Sequence, residues 1–323
     1  MITRRSRRRR NALVGAVIIG LVVAVVGVGA IATDTLGAGD LYGRALAKVD
    51  RFFAGPVPDR SAPATVRITD PPEFGADDEV LVEPGDSAAP DATAHLAPSD
   101  GVSSPGVDPA ATPTPKPERL PIDVDIVKNP NKVFAHEIEV TWCSSAGVQM
   151  TLAVLGLVDT SHEQQVEIQS RVRRWESYRD SHNGNWGPSA MSLALDAYGA
   201  SGYEVHAYDS RQGAMRGAAR AIQKTNSPAI LLTWRGAHTW IMTGFRADAD
   251  PSVFGNAKIE GAYILDPWYP DISSIWGPSD PPGTFQDASE LIRNYLPWKR
   301  PEGRYADRDG LFVAVIPTIR VDR

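Results

Sequence analysis

The apolar and polar positions divide this chain into stretches of unlike character. From Ala12 to Ala32, Val, Ile, Leu, Ala and Gly supply the whole run and no residue is charged. Wound as a helix, a run of that length rises about 30 Å, enough to cross a hydrocarbon core. From Gly55 to about Arg119 the apolar periodicity disappears under Pro, Ala, Asp, Ser, Thr and Gly. From about Leu120 to Arg323 it returns. Ile122 to Ile126 reads as extended and Glu137 to Thr141 as a strand. Cys143 to Leu157 then reads as a helix, with Ala146, Met150, Val154 and Leu157 on one stripe. Further helices are expected over Glu163 to Tyr178, Pro188 to Tyr198 and Arg211 to Lys224.

After Pro228 the period changes. Ala229 to Trp234 is a short continuous apolar run of the buried-strand type, and Arg235-Gly236-Ala237 makes a tight connection. His238 to Arg246 continues as a strand in which His238, Trp240 and Met242 share a face. Ala262 to Leu265 and Leu311 to Ile316 complete the strands. With helices first and strands after them, the expected class is α+β, N-terminal helices packed on a mainly antiparallel sheet.

Charge sets the orientation expected of the apolar run. Arg4, Arg5 and Arg7 to Arg10 precede it, so residues 1–11 form a basic tail retained in the cytoplasm and residues 12–32 a transmembrane signal anchor. Ala30-Ile31-Ala32 also fits a signal-peptidase site, but a cleaved signal normally has a shorter apolar core. Either reading places the remainder outside the cytoplasm. Residues 33–119 are expected to be a juxtamembrane helix, Leu41 to Phe53, followed by a disordered stalk in which Ala64 to Ile68 and Glu79 to Glu83 form transient strands at most. Residues 120–323 are long enough for one domain with its own core. The formal charge of −6 gives no support to a nucleic-acid partner.

The chain has a single cysteine, so it cannot form an intramolecular disulfide. Cys143 opens a helix, His238 opens a strand and Asp266 ends one, an order in which nucleophile, base and orienter can be brought together. A helix N-terminus and a neighbouring imidazole would both lower the thiol pKa. Read singly, Cys143 fits a small buried hydrophobe, His238 a half-buried strand histidine and Asp266 a turn former before Pro267. Their joint placement is what favours chemistry. Trp186, in the glycine-rich loop Asn183 to Pro188, and Trp240 are candidate cleft walls, with Trp142 beside the thiol.

Trp142-Cys143 leading a helix, Leu193-Ala-Leu-Asp-Ala-Tyr-Gly199, Gly236-Ala-His-Thr-Trp-Ile-Met-Thr-Gly-Phe245 and Tyr263-Ile-Leu-Asp-Pro-Trp268 resemble papain-like cysteine peptidases, closest to the double-glycine leader peptidase branch. The resemblance spans about Lys132 to Trp268. It implies a papain-like fold and hydrolysis of a peptide or protein substrate through an acyl-enzyme on Cys143, His238 and Asp266, with no cofactor and no metal. Where that family places an oxyanion-hole glutamine, this chain has Glu137, whose carboxylate would repel an oxyanion; His136 beside it is the candidate replacement donor, or Asn131 if the register slips. Three other readings stay open at this stage: a papain-like domain that binds peptides or proteins without turnover, a transglutaminase-type acyl transferase and a cell-wall amidase.

Overall fold

The computed structural model describes residues 55–69, 117–181, 186–299 and 302–321, with Tyr42, Ala45, Leu46, Lys48, Val49, Phe52 and Phe53. The expected cytoplasmic tail, membrane anchor and most of the stalk lie outside these residues. Among the described residues no helix is long and apolar enough to cross a membrane.

The fold is α+β. One eight-stranded mixed sheet runs β1 (Val66–Ile68), β3 (Tyr203–Tyr208), β10 (Phe312–Pro317), β4 (Ala229–Thr233), β5 (His238–Ala247), β6 (Ile259–Leu265) and β9 (Thr284–Asp287). β2 (Ile122–Asp125) pairs with the second half of β5, beyond the stretch that pairs with β4. β1 and β3 pair in parallel and the other pairs of this sheet are antiparallel. A short ribbon of β7 (Ile272–Ser273) and β8 (Gly277–Pro278) stands apart.

Helices cover both faces. α1 (Cys143–Val154), α2 (His162–Ser170) and α3 (Pro188–Ala197) share a core with Val205, Ile230, Leu232, Ile241 and Val313. On the opposite face α4 (Arg211–Thr225) and α5 (Ala288–Asn294) pack with Leu231, Trp240, Met242, Phe245 and Ala314. β4 and β10 are buried at every position, which is why they read as unbroken apolar runs instead of alternating ones. α1 lies close on β5 because Gly147 carries no side chain there: a Cβ would sit 3.1 Å from Thr239 Oγ1. Local signals set the helix ends. Ser161 and Ser210 cap α2 and α4 by accepting from Gln164 and Gly213 N–H, and Asn226 closes α4 in the left-handed region.

Several expectations are corrected. Helices and strands interleave, because β3, absent from the expected strands, lies between α3 and α4. Glu137 to Thr141 is not a strand. Its backbone groups turn to other partners: Glu137 N–H to the Pro267 carbonyl, Ile138 N–H to Gln165 Oε1, and the Glu139 carbonyl from Trp142 N–H. The second helix stops at Ser170 and gives way to a 3-10 turn, Val172–Arg174, where Arg173 and Arg174 offer their carbonyls to Arg60. The beginning of the expected stalk is docked on the domain. Tyr178 N–H donates to the Pro58 carbonyl, Ser177 Oγ to the Arg60 carbonyl, and β1 extends the sheet beside β3. These backbone bonds to the domain, which composition does not encode, hold a proline-rich segment in place.

Candidate active site

Cys143 is the first residue of α1. Trp142 precedes it without a side-chain cap, and the bond from Ala146 N–H to the Trp142 carbonyl is the first of the helix, so positive partial charge lies at the thiol-bearing end. Thr239 Oγ1 donates to the Cys143 carbonyl at 2.7 Å and ties the start of the helix to β5.

His238 opens β5 directly after a strained connection. Trp234, Arg235 and Gly236 have φ of 51°, 63° and 84°, and for the two residues with side chains the left-handed region costs roughly 1–2 kcal/mol each. The turn lays the Trp234 ring on the imidazole, with centroids 4.0 Å apart and planes 19° from parallel. A bond from Trp234 Nε1–H to the Asn294 side-chain oxygen, 2.9 Å, anchors it. Trp268 meets the imidazole edge-on, and Trp276 stacks on Trp234.

Asp266 follows the last residue of β6. Its Oδ1 accepts from Trp268 N–H at 2.9 Å and lies 2.7 Å from His238 Nε2. A carboxylate already acting as acceptor assigns the proton to Nε2 and leaves Nδ1 as the basic ring nitrogen. Both side chains are nearly inaccessible. A buried imidazole paired with a carboxylate in this way has the geometry that a base and its orienter take in a triad.

Cys143, His238 and Glu137 line one cleft of about 1480 Å³, walled by Trp186, Trp234, Trp268 and Trp276. Thiol and imidazole share it without bonding each other: Sγ lies 3.9 Å from the Ala237 carbonyl, with the Ser144 and Thr239 side chains also beside it. The thiol pKa is raised, contrary to the lowering expected from the sequence. Burial is the largest cause and the neighbouring Glu137 carboxylate the next, while hydrogen bonds from Ser144 and Thr239 oppose both. Burial and the Glu137 charge therefore favour the neutral thiol of Cys143 over its thiolate.

The segment carrying Glu137 is fixed by a buried amide network. Gln165 accepts from Ile138 N–H and donates to the His136 carbonyl, gripping the chain on both sides of Glu137. It also donates to Gln149 Oε1, and the Gln149 amide donates to the Asp159 and Ser161 carbonyls. Both glutamines are buried with both ends of their amides engaged, so the network is rigid. Nothing in the pattern of α2 distinguishes Gln165 from a surface residue, so the sequence alone does not single it out.

The other sequence candidates divide. Trp186 is at the cleft wall, buried against Trp175 and bonded through Nε1–H to Gln169. His136 lies outside the residues lining the Cys143 cleft: it is exposed, with Nδ1 2.9 Å from the Tyr269 carbonyl and Nε2 3.8 Å from Asp271. Trp142 contributes the N-cap of α1 and is not among the lining residues. Trp240 is corrected outright. The alternation along β5 carries it to the α4 face of the sheet, into the core with Met242 and Phe245. Comparison of the chain with family models, with curated proteins and with solved structures finds no match.

Proposed function

We propose that this protein is a cysteine peptidase with a papain-like catalytic domain, held at the membrane by residues 12–32 and displayed outside the cytoplasm. One observation carries the reading: the buried His238–Asp266 bond of 2.7 Å opens onto the cleft that holds Cys143 at the start of α1. The placement of a thiol-bearing helix on the strand that carries the base supports the fold assignment. In turnover, Nδ1 of His238 takes the thiol proton and Sγ attacks the scissile carbonyl carbon. The imidazolium then returns that proton to the leaving amine as the C–N bond breaks. Water, deprotonated by the same imidazole, hydrolyses the thioester. Asp266 holds the tautomer throughout. The missing thiol–imidazole bond fits a resting site, since such bonds often tighten only with substrate bound.

The test is cleavage of a mixed peptide library, read by mass spectrometry, with the full chain and its Cys143→Ala and His238→Ala versions. Cleavage by the parent alone is the expected result, and identical product patterns in all three would refute the reading. A second reading, a papain-like module that binds peptides without cutting them, is favoured by the Glu137 carboxylate and the raised thiol pKa. It predicts no cleavage and peptide affinity unchanged by Cys143→Ala. Product that forms only when an amine acceptor is added would indicate acyl transfer instead.

A further inference from the structure

Glu137 is 3% exposed, lines the cleft with Cys143 and is held on both sides by the Gln165 amide. A carboxylate there would oppose both steps of thiol catalysis, by disfavouring the thiolate and by repelling an oxyanion. A carboxylic acid would do neither. Its O–H is a strong donor, and its shape matches the primary amide of glutamine. Burial favours this neutral form, since removing a carboxylate from water penalises the charge.

We propose that Glu137 acts in its protonated form as the oxyanion donor of this site, making the peptidase acid-activated. The inference rests on the peptidase reading above. The titratable groups lining the cleft with Glu137 are the Cys143 thiol on α1, the His238 imidazole on β5, Tyr178, Lys48, Lys299 and Glu302. The Asp266 carboxylate after β6 acts on the same thiol as Glu137, and a second negative charge there favours the neutral acid. The imidazolium formed in the reaction opposes it, but arises only after the acid has bound the carbonyl oxygen. In the addition step the Cys143 S–C bond forms and the thiol proton passes to His238. The carbonyl π pair moves onto oxygen, which accepts the Glu137 O–H bond, and the pair returns as the leaving group departs. Protonation also removes the negative charge that raises the thiol pKa.

Two reagents separate the donor from the supply of thiolate. p-Nitrophenyl acetate acylates Cys143 through a tetrahedral oxyanion: the S–C bond forms, the ester C–O bond breaks and p-nitrophenolate carries the electron pair away. Iodoacetamide alkylates the same sulfur by direct displacement of iodide, with no oxyanion. The ratio of the two second-order rates cancels the ionisation of thiol and imidazole. It is measured on the full chain in non-ionic detergent, after subtraction of the Cys143→Ala background. In the parent the ratio is expected to fall by roughly 100-fold between about pH 5 and about pH 8, the size of a lost oxyanion donor. In Glu137→Gln it stays high throughout, because the amide donates at every pH, and in Glu137→Ala it stays low throughout. A flat ratio in the parent, or a Glu137→Gln ratio that declines with the parent's or stays as low as that of Glu137→Ala, overturns the proposal while leaving the triad intact. Alkylation without Cys143-dependent acylation at any pH in the parent and in Glu137→Gln overturns the peptidase reading, and this inference with it.

Discussion

The wall of the cleft near Trp186 depends on a buried ion pair behind Gly187 and Trp298, and its removal has a calculable effect. Asp180 is inaccessible and Arg308 2% exposed. Arg308 Nη1 donates to Asp180 Oδ1 at 2.9 Å and Nη2 to the Asp180 carbonyl at 3.1 Å. The guanidinium also lies 4.6 Å from the Tyr305 ring centre and 5.1 Å from that of Trp298. The carboxylate in turn accepts from Ser189 and Ala190 N–H, capping α3, whose N-cap Gly187 has no side chain to do so. Arg308→Met keeps the apolar stem and removes the charge, leaving a buried carboxylate with only helix N–H groups for compensation. Breaking one side of such a pair costs about 3–5 kcal/mol. With a urea slope of about 2–3 kcal/mol/M, the midpoint should fall by about 1–2.5 M at unchanged slope. The assay is urea unfolding followed by tryptophan fluorescence, repeated for Asp180→Asn and the double variant. The Asp180→Asn amide can still accept one N–H bond without a buried charge, so the double variant should recover about half of the loss. A single-variant cost below about 1 kcal/mol, or a double variant equal to the sum of the singles, would refute the reasoning.

Other outcomes follow from the same geometry. Gly187→Ala places a Cβ 2.2 Å from Asp180 Oδ2, whose partners leave it no room to move, so a loss of about 1–3 kcal/mol is expected and a neutral effect would contradict the packing. Gln165→Leu strips partners from Ile138 N–H, the His136 carbonyl and Gln149. It should cost about 2–4 kcal/mol in urea unfolding, and acylation of Cys143 should fall further than alkylation. Because burial and then Glu137 raise the thiol pKa, the thiolate fraction near neutral pH is small. Iodoacetamide should therefore react more slowly with Cys143 than with free cysteine at about pH 7, the rate should keep climbing well above the usual thiol range of about 8.5, and Glu137→Gln should accelerate it. Equal rates in parent and Glu137→Gln would remove the electrostatic role of that carboxylate. Arg235→Gly relieves a left-handed backbone at φ 63°, less the added entropy of glycine in the unfolded chain, and should stabilise by about 0.5–1 kcal/mol in thermal unfolding.

The sequence by itself determined the elements whose signals are local. α1 and α3 follow from helical spacing, α4 from spacing together with its Ser210 and Asn226 caps, and β4, β5 and β10 from apolar runs bounded by turn residues. Cys143, His238 and Asp266 stood out because each sits where an element begins or ends, a position readable without knowing what packs on it. Tertiary structure alone decided the rest. Whether Glu137 to Thr141 would pair as a strand depended on Gln165 and Pro267, far away in sequence, taking its backbone groups. Alternation along β5 sends Trp240 and Ile241 to opposite faces, but which face α4 would cover was decided only by the packing of the helices. The docking of residues 55–69 came from backbone bonds to Tyr178 and β3 in a segment whose composition predicts disorder. The direction of the Cys143 pKa shift was equally a tertiary matter. The helix start that lowers it is visible in sequence, but the desolvation and the Glu137 charge that outweigh it exist only once the cleft has closed around the thiol.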